Sequence, residues 1–190
     1  DAALASYHQA LNLFQDIGDR LGEANVRKAI GDVLQFRKQS DAALASYHQA
    51  LNLFQDIGAK LGEANVLSAK SRVLIDSDLP ESQRLLEKAL EIRRLMPDIY
   101  GQGADLGNYG VALLQRGRAA EALPYLQRSR QLFAEHNIQD MLPQVNRLIE
   151  QANQMLQAND IGPSLPQLPA DLQARLHAAN VTDQASLAQA

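Results

Sequence analysis

Apolar residues recur at helical spacing from the start of this chain to about position 157. Between Asp41 and Gly58, the residues Ala43, Tyr47, Ala50, Leu51 and Phe54 fall at i, i+4, i+7, i+8 and i+11. That is one stripe with a period near 3.6, the mark of an amphipathic helix. Asp41 is placed to cap this helix, and Gly58 stands where it should stop. A second stripe, over about 21–38, carries Val26, Ile30, Val33 and Leu34. The unit is therefore helix, short turn, helix. Neither helix can bury its stripe alone, so neighbouring units must stack and share a core.

The pattern is repeated almost literally. Residues 1–18 and 41–58 read DAALASYHQALNLFQDIG in both places, and LGEANV occurs at 21–26 and again at 61–66. The offset is 40 residues. Identity of this length points to a recent duplication. The spacing predicts helices over about 1–17, 20–38, 41–57, 60–76, 79–96, 98–116, 119–136 and 139–157. Asp98, after Pro97, is a credible N-cap, and Pro80 suits a first helical turn. Pro124 lies deeper in its helix and is expected to bend it or delay its start. The 60–96 pair is degenerate, because Lys70 and Ser71 replace Ile30 and Gly31. The same fold with looser packing is expected there. In the last helix Glu150 takes the place of Gly31 and Gly110. A carboxylate under a closely packed neighbour carries a large desolvation cost. Residues 139–157 are therefore expected to cap an array spanning 1–157. Pro163, Pro166 and Pro169 mark 158–169 as a linker. Leu172 and Leu176 then share one face of a short helical tail over 170–190, able to dock on the array together with Leu168.

The small residues make a resemblance specific. Ile30-Gly31-x2-Leu34 is followed by Ala43-x3-Tyr47 and Ala50. Leu106-x2-Tyr109-Gly110-x2-Leu113 is followed by Gly117, Ala122 and Leu126. This resembles the tetratricopeptide repeat (TPR), whose pattern reads W-x2-L-G-x2-Y and then A-x3-F. The chain departs from it in having no Trp, in placing Leu for the second aromatic, and in a unit longer than the usual ~34 residues. The 40-residue unit is similar to the long repeats of kinesin light chains and G-protein-signalling adaptors. It is more similar still to bacterial arrays attached to signalling NTPases or CHAT proteases. The fold class implied is all-α, a right-handed α-α superhelical solenoid of TPR helix pairs. The function implied is protein–protein interaction, as a sensor or regulatory array of a larger protein; the start at Asp1, in mid-repeat, fits such a parent.

In TPR arrays the first helix of each pair lines the concave face. That geometry places Asn25, Lys28, Asp32 and Gln35 in a groove, followed by Asn65, Ser68, Arg72 and Ile75. Ala104, Gly107, Val111 and Leu114 come next, then Gln144, Arg147, Gln151 and Gln154. Such a groove is polar at its ends and small or apolar in its middle, which suits a protein segment or peptide with a central apolar anchor. A clamp for a C-terminal carboxylate is not expected. Asp32 and Ala69 stand where that clamp uses Asn, and Asn108 matches only in isolation. The alternative reading is self-association, a homo-oligomer formed through open repeat ends, because the helix over 1–17 lacks its partner.

Composition narrows the rest. The 190 residues carry a net charge of −4, with 46% hydrophobic and 21% charged residues. These values fit neither disorder nor a membrane span. Between 79 and 136 basic residues slightly outnumber acidic ones, but there is no basic stripe, so no nucleic-acid partner is expected. There is no Cys, which excludes disulfides and fits a reducing cytoplasmic location. His8, His48, His136 and His177 are scattered and are read as surface residues, not metal ligands. Asp76-Ser77-Asp78 lacks the glycine of a calcium loop and is read as a turn. The Arg clusters of 79–96 and 119–136 have acidic neighbours at helical spacing, such as Glu87 with Arg84, and are read as solvated faces. No nucleophile elbow, phosphate loop or HExxH is present. The sequence therefore nominates no catalytic residue, no metal site and no cofactor.

Overall fold

The computed structural model describes residues 2–160, with side chains to 158. Eight α-helices follow one another: α1 Ala2–Asp16, α2 Arg20–Phe36, α3 Ser40–Asp56, α4 Lys60–Leu74, α5 Leu79–Leu95, α6 Ile99–Leu114, α7 Ala119–Glu135 and α8 Leu142–Asp160. A single 3-10 turn, Gln139–Met141, leads into α8. The described residues contain no strand. Chain contacts divide the protein into a unit over 1–155 and one over 156–190. The Pro-rich linker and the tail expected over 158–190 lie almost wholly outside the described residues.

Consecutive helices pack in pairs, α2 with α3, α4 with α5 and α6 with α7, and each pair then leans on the next. The pairing rests on small residues. A Cβ added at Gly31 of α2 would stand 2.6 Å from the Tyr47 ring, and one at Gly110 of α6 would stand 2.6 Å from Leu126. Ala43, Tyr47, Ala50, Leu51 and Phe54 are the buried residues of α3, the whole stripe read from the sequence.

The turns share one device. Gly18, Gly58 and Gly117 adopt left-handed φ near 70°. After each, the chain returns an N–H to the preceding helix, as with Ala59 to the Phe54 carbonyl at 2.8 Å and Arg118 to the Leu113 carbonyl at 3.0 Å. This Schellman-type closure satisfies carbonyls that the helix end would otherwise orphan. Lys38 and Asn137 hold the same place with φ of 60° and 58°.

Three helices begin on an aspartate. The Asp19, Asp78 and Asp98 side chains accept from the backbone N–H of Gly22, Glu81 and Gly101. Asp41 does not cap α3: the cap position is Gln39, and Asp41 lies inside the first turn, where its charge favours the positive end of the helix dipole. Pro124 neither delays nor breaks α7, which starts at Ala119 and runs on through it. The 60–96 pair is not loosely packed. Ser71 and Ser82 are fully buried. The Ser82 hydroxyl lies 2.7 Å from both the Ser71 carbonyl and the Tyr109 hydroxyl. Polar atoms satisfied within the contact let serines pack where the neighbouring repeat uses glycine and alanine.

Candidate ligand groove

Within the unit over 1–155, the backbones of α2 and α4, and of α4 and α6, come close, while those of α3, α5 and α7 stay apart and α5 meets α7 through long side chains, as Gln83 with Tyr125 at 3.3 Å. The first helices therefore form the tighter, inner side of the array. At the C-terminal ends of α2 and α4 this side opens into a cavity of about 970 Å³. Lys28, Asp32 and Gln35 line it from α2, Arg72 and Val73 from α4, and Arg116 from beyond the end of α6.

One wall is set by a buried tyrosine. Tyr47 has no exposed surface and stands behind the cavity wall, its hydroxyl 2.8 Å from Asp32 Oδ1 and 2.9 Å from Gln35 Oε1, two acceptors for its one proton. The other oxygen of Asp32 takes Lys28 Nζ at 2.7 Å. Burial, then the Asp32 charge and hydrogen bond, push the Tyr47 phenol well above its ordinary range. The opposite wall is cationic. Arg72 Nη1 donates to the Ser68 carbonyl and hydroxyl, both one turn back in its own helix. Arg116 Nε pairs with Asp76 at 2.6 Å, and its Nη2 donates to the Arg72 carbonyl, tying two consecutive repeats together.

The predicted groove residues separate into three groups. Lys28, Asp32, Gln35 and Arg72 line the cavity together. Ser68, Ile75 and Leu114, expected on the groove surface, are instead buried. The lower half of α4 is enclosed by α5 and α6, so its register turns Ile75 inward, where its carbonyl accepts from Arg118 at 3.1 Å. Asn25 and Asn65 are exposed and Val111 is half-buried, outside the cavity. Asn65 is engaged elsewhere, accepting from Arg93 at 2.6 Å. Gln144, Arg147 and Gln151 are exposed on α8 and do not line the cavity, and Glu150 is exposed beside them.

Sequence reasoning missed Phe36, Leu44, Asp76 and Arg116. Phe36 carried a signal, being a large apolar residue beyond the last buried turn of α2; it is 89% exposed on the cavity rim. The Arg116–Asp76 pair carried none, because its members sit in successive repeats and only stacking brings them together. On the opposite side of the molecule, Arg84 pairs with Glu81 at 2.6 Å and not with Glu87. Glu87 binds Arg128 at 3.0 Å and Arg94 at 3.6 Å. Exposed pairs of this kind contribute little.

His8, His48 and His136 are exposed; His177 lies outside the described residues. Among the described residues no group of three or more His, Cys, Asp or Glu side chains is placed to hold a metal ion. No described helix is long and apolar enough to cross a membrane.

The architecture defines a class, the all-α arrays of repeated helix pairs. Residues 1–56 match the family model of the tetratricopeptide repeat. The match and the architecture together support a tetratricopeptide-repeat protein, a type that generally mediates contacts between proteins. A search of curated proteins returned no match.

Proposed function

We propose that this chain is a protein-interaction module that holds a peptide or protein segment in its concave groove, serving as the sensor or regulatory array of a larger protein. The observation that carries the reading is the cavity on the inner face. Its volume of about 970 Å³ falls at the upper end of ordinary ligand sites. Its walls mix charge and hydrogen-bonding groups with the apolar Leu44 and Val73, and an exposed Phe36 stands at its rim. An exposed aromatic beside polar groups is the usual composition of a binding hot spot.

The test compares two surfaces of the same molecule. Proteins co-purifying with the intact chain are compared with those held by a groove variant, Phe36→Asp, and by an outer-face variant, Arg94→Ala. The reading expects partners retained by the outer-face variant and lost by the groove variant. Partners lost equally from both, or from neither, would sink it.

A further inference from the structure

Four cations and three carboxylates line the cavity: Lys28, Lys38, Arg72 and Arg116 against Asp32, Asp41 and Asp76. They differ in whether the fold already uses them. Asp32 is committed on both oxygens, to Tyr47 and to Lys28. Asp76 is committed to Arg116. Arg72 is half-buried, and among the described residues it forms no ion pair. Its hydrogen bonds go only to Ser68 of its own helix, through one of its three nitrogens.

The repeats explain why Arg72 is not structural. Asp32 and Arg72 follow the equivalent residues Gly31 and Ser71. Asp32 serves the buried Tyr47 hydroxyl. The residue of α5 equivalent to Tyr47 is Leu86, four residues after the small residue Ser82, as Tyr47 is after Ala43. Leucine has no hydroxyl to serve, so Arg72 has no corresponding task in the core. A half-buried guanidinium with no carboxylate in ion-pair contact leaves part of its hydrogen-bonding capacity unused. That capacity is taken up when a planar anion is brought to it, since guanidinium donors match a carboxylate two by two.

We propose that Arg72 is the specificity-determining residue of this groove, pairing with the side-chain carboxylate of a bound peptide while an adjacent apolar residue of that peptide packs on Phe36 and Leu44. The inference rests on the groove reading above and gives it a ligand chemistry. The surrounding charge selects the anion. With the other cations set against the three carboxylates, the cavity offers one unit of positive charge, which a carboxylate neutralises. A phosphoryl group, with a charge near −2, would meet Asp32, Asp41 and Asp76 with repulsion left over.

The experiment selects peptides from a random displayed library on the full chain and synthesises the binders. Affinities are read by fluorescence polarisation for wild type, Arg72→Gln and Phe36→Ala, with thermal unfolding confirming that the variants fold. The expected binders carry Asp or Glu beside an apolar residue. Arg72→Gln should weaken them about 10- to 100-fold, the range of a hydrogen-bonded charge pair. Replacing the peptide's Glu by Gln should cost the same in wild type and almost nothing further in Arg72→Gln. Binders without an acidic residue that still depend on Phe36 would overturn the carboxylate assignment and leave the groove standing. Tighter binding of a phosphoserine version would overturn the preference for a single charge. Binders indifferent to both substitutions, or no binder at all, would remove the groove reading and this inference with it.

Discussion

Arg93 donates from Nε to Asp105 Oδ2 at 2.7 Å, and both side chains are almost completely buried, at 7% and 8% exposed. Arg93 stands where its sister helices carry an aromatic. Phe54, Arg93 and Phe133 each lie eleven residues after the small residue Ala43, Ser82 or Ala122. Phe54 packs on Gly62 of the next helix, and Arg93 packs on Gly101 in the same manner. Its other nitrogens reach Asp98 at 2.5 Å and Asn65 at 2.6 Å, so the charge enters the core fully satisfied.

Removing one member strands the other. Arg93→Phe should destabilise the chain by about 3–5 kcal/mol, because it leaves the Asp105 carboxylate buried without its cation. The double change Arg93→Phe with Asp105→Val reinstates the combination found one repeat earlier, Phe54 with Val66, and should recover most of the loss. Urea denaturation of the three proteins measures both effects. A single variant as stable as wild type would show that Asp105 is rehydrated or protonated at little cost.

Tyr47→Phe should cost about 1–2 kcal/mol, since Asp32 and Gln35 lose a buried donor. Tyr7→Phe should be close to neutral, although the two tyrosines share their sequence surroundings. The alkaline limb gives a second reading of the same site. The raised folded pKa of Tyr47 means that the unfolded chain ionises first, from about pH 10. Above that pH the unfolded state binds fewer protons than the native state, so stability falls as pH rises. The fall should be shallower in Tyr47→Phe; an unchanged slope would remove Tyr47 as a contributor. Tyr109 and Tyr125 are raised by burial as well and act in the same direction, while Lys70, lowered by burial, acts against them.

Gly31→Ala tests the close approach of α2 to α3. A helix interior gains about 1 kcal/mol from Ala over Gly. Here the added Cβ would stand 2.6 Å from the Tyr47 ring, which has no free surface to move into. Overpacking should win, with a net loss of about 1–3 kcal/mol by denaturant midpoint. A stabilised variant would mean that the pair can separate without cost.

Lys38→Gly should act in the opposite direction. Lys38 holds φ of 60° at a turn position where Gly18, Gly58 and Gly117 hold φ near 70°. A side chain in that region costs about 1 kcal/mol, partly offset by the greater freedom of glycine in the unfolded chain. Thermal unfolding should show a gain of roughly 0.5–1 kcal/mol.

The sequence by itself determined the elements. Helix periodicity, the glycine stops and the duplicated unit fixed eight helices to within a few residues, because each signal is local: a stripe, a cap, a left-handed residue. The resemblance to tetratricopeptide repeats, not the spacing, supplies the face on which Lys28, Asp32, Gln35 and Arg72 are expected, and these four line the cavity. Only the tertiary structure decided which positions of α4 and α6 reach the cavity. Ser68, Ile75 and Leu114 share the repeat register of groove residues but are closed over by neighbouring helices. The same holds for Arg93, which reads as a surface arginine on a charged helix until Asp105, Asp98 and Asn65 are brought around it. Burial and charge pairing depend on how one repeat is set against the next, and that relation is written in no single stretch of chain.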